Sequence, residues 1–115
     1  MQDILQDVET WRTQLRKGSL ELAVLLSLRE TPRYGLELAD RLNARGLGVS
    51  EGSIYPLLSR LRNEGKVETE WVDPGAGHSH KYYRLTRRGR SSCQSMLEAW
   101  RDFAAALERV IGDGE

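Results

Sequence analysis

The residues from Ser50 to Asn63 place aliphatic side chains at helical spacing and collect small, polar and basic side chains on the opposite side. Such a face lets a helix approach base edges closely, while longer flanking side chains reach phosphates or bases. Tyr55 and Arg60 flank this face, whereas Arg62 falls toward the leucine side. The candidate nucleic-acid contacts of the segment are Glu51, Gly52, Ser53, Tyr55, Pro56, Ser59, Arg60 and Asn63.

A turn-rich stretch from Asp73 to Lys81 supplies further donors, which suit contact with a phosphate backbone. Its two histidines could instead hold a metal with Cys93 or a carboxylate. A glycine-containing loop does not hold three or four ligands in the fixed positions that a metal site needs. We therefore expect these residues to contact phosphate and to bind no metal. The candidate contacts are His78, Ser79, His80 and Lys81, together with Tyr34 at the start of a predicted helix.

The sequence lacks the combinations of side chains that common catalytic sites require. Two histidines two residues apart cannot complete a serine, histidine and aspartate set, and neither a paired carboxylate cleft nor a glycine-rich phosphate loop can be assembled. The single cysteine, Cys93, lies on an apolar stripe and fits a small buried side chain better than a redox sensor. We therefore expect a protein that is not an enzyme and needs no cofactor.

The 115-residue chain has 17 basic and 17 acidic residues, but they are unevenly distributed. Residues 1–11 and 91–115 are mainly acidic, whereas residues 53–90 hold eight basic and four acidic side chains. A local basic region fits selective DNA binding better than uniform coating of nucleic acid. The acidic start and the short apolar run Leu22–Leu28 resemble neither a secretory signal nor a membrane span, so we expect a cytoplasmic protein without membrane contact.

Helical periodicity predicts four helices in the first half of the chain. The first presents apolar residues from Ile4 to Leu15 and ends near Gly18. Ser19 caps the second, which is mostly apolar and stops before Pro32. The third begins near Gly35 and ends before two turn glycines, and the fourth is the segment described above.

Ser50 caps the fourth helix, which ends at Asn63–Gly65 despite an internal proline. A period of two over Val67–Trp71 and Tyr82–Leu85 predicts a β-hairpin. Thr86 caps a last helix whose apolar stripe is too long for one small core. The predicted fold is mainly α: a winged helix-turn-helix with a two-stranded wing, N- and C-terminal dimerisation helices, and its fourth helix in the major groove.

Four segments carry the most specific motifs: Gly18–Glu21, Pro32–Leu38, Ser50–Leu61 and Lys81–Gly89. In combination they resemble the PadR-type (phenolic acid decarboxylase regulator) family of transcriptional regulators, and the single short C-terminal helix resembles its smaller subfamily. The resemblance implies a homodimeric winged-helix repressor, in which the C-terminal helix pairs the subunits and the Tyr55 helix reads DNA. Some relatives bind aromatic compounds between the helices of the dimer.

We expect an N-terminal helix in the dimer interface (residues 1–17), a DNA-binding domain (18–86) and a C-terminal dimerisation helix (87–115). The first helix could also lie on its own core. Two Trp100 rings, one from each subunit, could line a pocket for a flat apolar ligand, although packing in the dimer interface explains them more simply. The residues expected at this interface or effector site are Trp11, Met96, Trp100, Phe103 and Leu107.

The sequence predicts a sequence-specific, DNA-binding transcriptional regulator. We expect it to act as a homodimeric repressor on a palindromic operator and to be released from that operator by a small effector. Its expected partners are double-stranded DNA, a second copy of itself and a small effector, aromatic or of another kind. Two alternatives stay open. One is a winged-helix interaction module without specific DNA binding, which overall neutrality favours, and the other is a metal-responsive regulator.

Overall fold

The computed structural model describes residues 1–73 and 79–114. In this part of the chain four helices surround a three-stranded antiparallel sheet with the strand order β1-β3-β2. The elements are α1 (Gln2–Ser27), β1 (Arg33–Tyr34), α2 (Gly35–Ala44), α3 (Glu51–Asn63), β2 (Val67–Val72), β3 (His80–Leu85) and α4 (Arg87–Asp113). This order and pairing confirm the predicted winged helix-turn-helix.

The core forms where the C-terminal half of α1 meets α2 and α3. Its largest fully buried side chains are aliphatic, and each contributes about 1.5–3 kcal/mol by leaving water. They are Val24, Leu25, Leu28, Leu38, Ile54, Leu58 and Leu61. Because three of them lie on one face of α3, the opposite face of that helix is left in solvent.

The Asn43 side chain fixes the turn between α2 and α3 through hydrogen bonds to both backbone polar groups of Val49. The Asn43 amide nitrogen donates to the Val49 carbonyl oxygen at 2.7 Å, and the Val49 amide donates to the Asn43 side-chain oxygen at 2.5 Å. Gly46 and Gly48 have φ values of 91° and 64°, a region that favours glycine. These contacts set the angle at which α3 leaves α2.

Helix α3 agrees with its predicted bounds and contains Pro56. Ser50 occupies the N-cap position as predicted, but its hydroxyl lies 3.1 Å from the Ser53 hydroxyl and accepts no hydrogen bond from the helix backbone. At α4 the predicted cap is complete. The Thr86 hydroxyl accepts from the Gly89 amide at 3.0 Å and donates to the Gly65 carbonyl at 2.6 Å.

The predicted break at Gly18 is wrong, because α1 continues without interruption to Ser27 and Ser19 is an interior residue instead of a cap. Among the described residues only Gly46, Gly48 and Gly65 have positive φ values. Gly18 therefore keeps helical geometry. An isolated glycine costs a helix only about 1 kcal/mol, which the packing of the flanking turns offsets.

Strand β1 was not predicted, because its two residues gain their strand geometry only from pairing with β3. The hairpin itself is confirmed, and its register pairs Val67 with Leu85 and Trp71 with Lys81. Val67 is buried as the alternation predicts, but the Trp71 side chain is 67% exposed. The hairpin extends beyond the core at that point and carries the tryptophan into solvent.

Cys93 faces the core from α4 and is buried, as predicted. Burial raises the pKa of its thiol above the ordinary value, which nearby Arg29 partly counters. Within the described residues, no helix combines the length and apolar character that crossing a bilayer requires.

The continuity of α1 makes Gly18 a position where alanine is favourable. No atom lies within 4 Å of the place where its side chain would stand. Gly18→Ala should raise the free energy of unfolding by about 0.5–1 kcal/mol, measured by urea denaturation at fixed protein concentration.

Gly46→Ala is the matched control, because that site is equally open but has a φ of 91°. It should lower the free energy of unfolding. A destabilising Gly18→Ala would contradict the continuous helix.

Candidate nucleic-acid interface

The outer face of α3 is open to solvent over its whole length. Five residues predicted as contacts are exposed there, and Tyr55 stands at the edge of this face with 44% of its side chain exposed. The five are Glu51, Gly52, Pro56, Ser59 and Asn63. Small side chains keep this surface low, so the helix can approach a groove of DNA.

Tyr55 is held in place by the start of α2. A side chain on Gly35 would put its first carbon 2.6 Å from the Tyr55 ring carbon Cζ and 2.8 Å from the hydroxyl oxygen. The ring therefore occupies the space that glycine leaves empty. This contact explains why a glycine follows Tyr34 at the first position of α2.

A groove of about 470 Å³ separates α3 from the hairpin, and we call it the wing groove. Both elements contribute aromatic and polar side chains to its walls. They are Tyr34, Gly35, Tyr55, Ser59, Trp71, Ser79, His80, Lys81 and Tyr83. The groove thus brings together six of the thirteen predicted contacts, and it adds Trp71, which was not predicted. The six are Tyr34, Tyr55, Ser59, Ser79, His80 and Lys81.

An aromatic stack fixes the base of the hairpin beside this groove. The His80 ring lies parallel to the Tyr34 ring, with centroids 4.3 Å apart and an interplanar angle of 15°. Tyr82 meets the Tyr34 ring edge-on at 5.4 Å. Tyr34 therefore joins α2 to the hairpin. His78 lies outside the described residues.

Arg62, predicted to lie toward the leucine side of α3, is exposed and is not among the residues that line the wing groove. Burial raises the pKa of the Tyr83 hydroxyl, neighbouring Tyr55 raises it further, and the Arg62 guanidinium lowers it. Arg62 thus acts on the same buried hydroxyl as Tyr55 does. Its spacing of seven residues from Tyr55 was the sequence signal for a shared helix face.

Arg60 lies on the other side of α3, where it holds the helix to α1. Its guanidinium forms ion pairs with Glu21 of α1 and, at 2.9 Å, with Glu64. The Lys66 amine lies 3.1 Å from a carboxylate oxygen of each glutamate. Arg60 is half exposed, but its guanidinium is already engaged in these ion pairs. The ion pairs therefore compete with its predicted role as a DNA contact.

The ion pairs shift the pKa values of Glu21, Glu64 and Lys66. Burial raises the pKa of Glu21, but hydrogen bonds from Arg60 and Lys66 outweigh it, so the pKa lies below its ordinary value. Hydrogen bonds from the same two cations lower the pKa of Glu64. Burial lowers the pKa of Lys66, and its bonds to the glutamates reverse this and raise it.

Two apolar surfaces lie away from the wing groove, on the N-terminal half of α1 and the C-terminal half of α4. We call them the helical stripes. They include the predicted interface residues Trp11, Trp100, Phe103 and Leu107, which are 48–70% exposed, whereas Met96 is partly buried against the core. The exposed members are Ile4, Leu5, Val8, Trp11, Leu15, Trp100, Phe103, Leu107, Val110 and Ile111.

In residues 1–73 and 79–114 no three histidine, cysteine or acidic side chains lie close enough to hold a metal ion. The metal alternative involves His78, so it stays a hypothesis. His80 is stacked on Tyr34, and Cys93 belongs to the core.

The arrangement of α2, α3 and hairpin is shared with known regulators. A model of the transcriptional regulator PadR-like family matches residues 24–95. The chain belongs to the PadR-like family. The matched residues include α2, α3 and the hairpin, whereas both helical stripes lie outside them. The resemblance read from the sequence motifs is confirmed.

Individual PadR relatives support the same assignment. The chain is similar to the crystal structure of a PadR family transcriptional regulator from Eggerthella lenta, with 30% identity, a TM-score of 0.87 and coverage of 96% of this chain and 97% of that chain. A transcriptional regulator of Mycobacterium tuberculosis is 26% identical over 107 residues, which is 88% of this chain and 97% of that protein.

Bacillus subtilis PadR has been crystallised in complex with operator DNA. That structure is 25% identical with a TM-score of 0.62, and the match covers 68% of this chain and 46% of that chain.

The ion pairs of Glu21 predict a pH-dependent stability. A carboxylate whose pKa is lowered in the folded state stabilises the fold above the ordinary pKa of 4.5, and this contribution is lost as the pH falls through the lowered value. Glu21→Gln should lower the free energy of unfolding by about 1 kcal/mol at pH 7. The difference from the unmodified protein should shrink in urea titrations below pH 4.5.

Glu68→Gln is the control, because Glu68 pairs with Arg84 at 2.9 Å in an exposed position on the hairpin. Its effect should stay below about 0.5 kcal/mol. An equal loss from both substitutions at pH 7 would show that the Glu21 ion pairs do not hold α1 to α3.

Proposed function

We propose that this PadR-family protein is a sequence-specific DNA-binding repressor that acts as a homodimer on a palindromic operator. The observation that carries the proposal is the wing groove together with the exposed face of α3, which present Tyr55, Ser59 and Lys81 on one continuous side of the molecule. The operator complex of Bacillus subtilis PadR supports it. A repressor needs no activity beyond occupying its operator.

In this proposal α3 lies in the major groove, with its small residues against the base edges. Tyr55 and Arg62 stand at the edge of the helix, where they reach bases or the neighbouring phosphates. The hairpin with Lys81 and Trp71 lies along the adjacent backbone. The predicted contacts Ser53 and Arg60 lie on the α1 side of α3, so we give Arg62 precedence over Arg60.

The two arginines provide a test on one helix with equal charge change. Arg62→Gln should weaken binding to a selected duplex about tenfold and reduce the slope of log affinity against log salt by about one, because one phosphate contact is lost. Fluorescence anisotropy at several salt concentrations measures both quantities.

Arg60→Gln should leave that slope unchanged and lower the free energy of unfolding instead. The opposite pattern, with the salt slope reduced only by Arg60→Gln, would overturn the placement of Arg62 at the DNA.

We propose that the helical stripes pair two copies of the chain, with residues 1–17 and 87–115 forming the interface and residues 18–86 binding DNA. Ten large apolar side chains exposed along two helices are more than a small monomer usually leaves in water, which supports a self-association surface. A two-fold dimer presents two copies of α3 at successive major grooves, about 34–36 Å apart.

Leu107→Glu should convert the dimer to a monomer, because it places a charge in the apolar interface. Ala105→Glu is the control on the same helix, since Ala105 is exposed and lies on the side of α4 opposite the stripe. It should leave the dimer intact. Sedimentation velocity measures both, and a Leu107→Glu protein that stays dimeric would contradict the proposed interface.

We also propose that a small effector acts near this interface. A groove of about 430 Å³ lies beside Trp100 and Leu15, a size and composition that suit a flat aromatic ligand. A ligand there contacts both dimerisation helices and can alter the distance between the two copies of α3.

A further inference from the structure

One exposed tryptophan lies away from both the core and the helical stripes. Trp71 stands on strand β2 and is 67% exposed, and it belongs neither to the buried core nor to the apolar residues packed against it. It lines the wing groove together with Tyr55, so the hairpin and α3 each place an aromatic ring in that groove. Within the described part of the chain, neither the core nor the proposed dimer interface covers this indole.

The two faces of the hairpin differ in charge. Side chains alternate along a strand and cross-strand partners share a face, so Trp71 lies on the same face as its partner Lys81. Glu68 and Glu70, the carboxylates of the two strands, lie on the opposite face, where both pair with one arginine. The face turned toward α3 therefore carries aromatic rings and a cation, and neither strand adds a carboxylate to it.

Lys81 supplies the positive charge of this face. Its amine lies 5.8 Å from the centroid of the Tyr83 ring, and no carboxylate of residues 1–73 and 79–114 forms an ion pair with it. Trp71 stands directly across the hairpin from Lys81. Because phosphates and sugars alternate along a DNA strand, a cation beside a flat apolar ring matches a phosphate and the neighbouring deoxyribose.

We propose that Trp71 is a specificity-determining residue for the DNA that flanks the operator half-site, and that it reads the shape of this flank instead of its base edges. The inference rests on the proposed function, because it requires α3 to be bound to the half-site. The indole packs against a sugar of the flanking strand while Lys81 contacts the adjacent phosphate. An apolar side chain in that position favours base steps that open easily, which are pyrimidine–purine steps.

Fluorescence anisotropy with duplexes that share one selected operator and differ only in their flanks tests the inference. Duplexes with TA steps in both flanks should bind about fivefold more tightly than duplexes with stiff A-tracts there. Trp71→Ala should reduce this ratio to about one by weakening binding to the TA duplex. It should leave the slope of log affinity against log salt unchanged, because the indole neutralises no phosphate.

Val72→Ala is the matched control. Val72 is the next residue of β2, is 38% exposed and lies on the opposite face of the hairpin. Its substitution should keep the flank ratio of the unmodified protein, and circular dichroism verifies that both variants are folded. Equal affinity of the unmodified protein for the two flanks, or a ratio that Trp71→Ala does not change, would overturn the inference.

Failure of the proposed function would give a different result. Base changes inside the half-sites would then have no effect on the affinity of the unmodified protein, whatever the flank. A protein that discriminates between half-site sequences but not between flanks would refute the role of Trp71 alone.

A fluorine spectrum of the protein labelled with 5-fluorotryptophan gives a readout that does not depend on affinities. The chain has three tryptophans, and Trp71→Phe identifies the signal of the hairpin. Addition of the duplex with TA flanks should shift the Trp71 signal by more than those of Trp11 and Trp100. A saturated complex in which the Trp71 signal stays in place would overturn the inference.

Discussion

The burial of one aliphatic face of α3 is the constraint on which the rest of the structure depends. Ile54, Leu58 and Leu61 are fully buried against α1 and α2, so the rotation of the helix about its axis is fixed. That rotation directs the small residues outward and divides the flanking residues between two sides. Tyr55 faces the wing groove, while Arg60 faces α1. The candidate DNA surface is thus a consequence of where the core lies.

Contacts at both ends of α3 keep this orientation. Asn43 closes the turn before the helix through two hydrogen bonds to Val49, and the ion pairs of Arg60 and Lys66 with Glu21 join its C-terminal end to α1. Because α1 is a single helix from Gln2 to Ser27, its apolar stripe and its contact with α3 belong to one rigid element. A ligand or a partner on α1 therefore has a direct structural route to the helix proposed to read DNA.

Local patterns in the sequence predicted the elements that have strong signals of their own. The apolar spacing of α3, the alternation in the hairpin and the Thr86 cap were sufficient for these, and the motif from Ser50 to Leu61 indicated the family. The features that the sequence analysis placed wrongly or missed depend on tertiary contacts. Gly18 is compatible with either a helix interior or an end, and β1 exists only through pairing with β3. The ion pair that holds Arg60 against α1 follows from a partner distant in sequence, Glu21.

Selection of duplexes from a pool with randomised sequence, at two salt concentrations and with Tyr55→Ala in parallel, tests whether α3 reads a DNA sequence. If it does, one two-fold symmetric site should recur, with half-sites about 10–10.5 base pairs apart, that is retained at the higher salt and lost with Tyr55→Ala. Binding without a recurrent sequence that disappears at the higher salt in both proteins would contradict it. Phosphate attraction alone would then explain the binding, and α3 would not be a reader of DNA sequence.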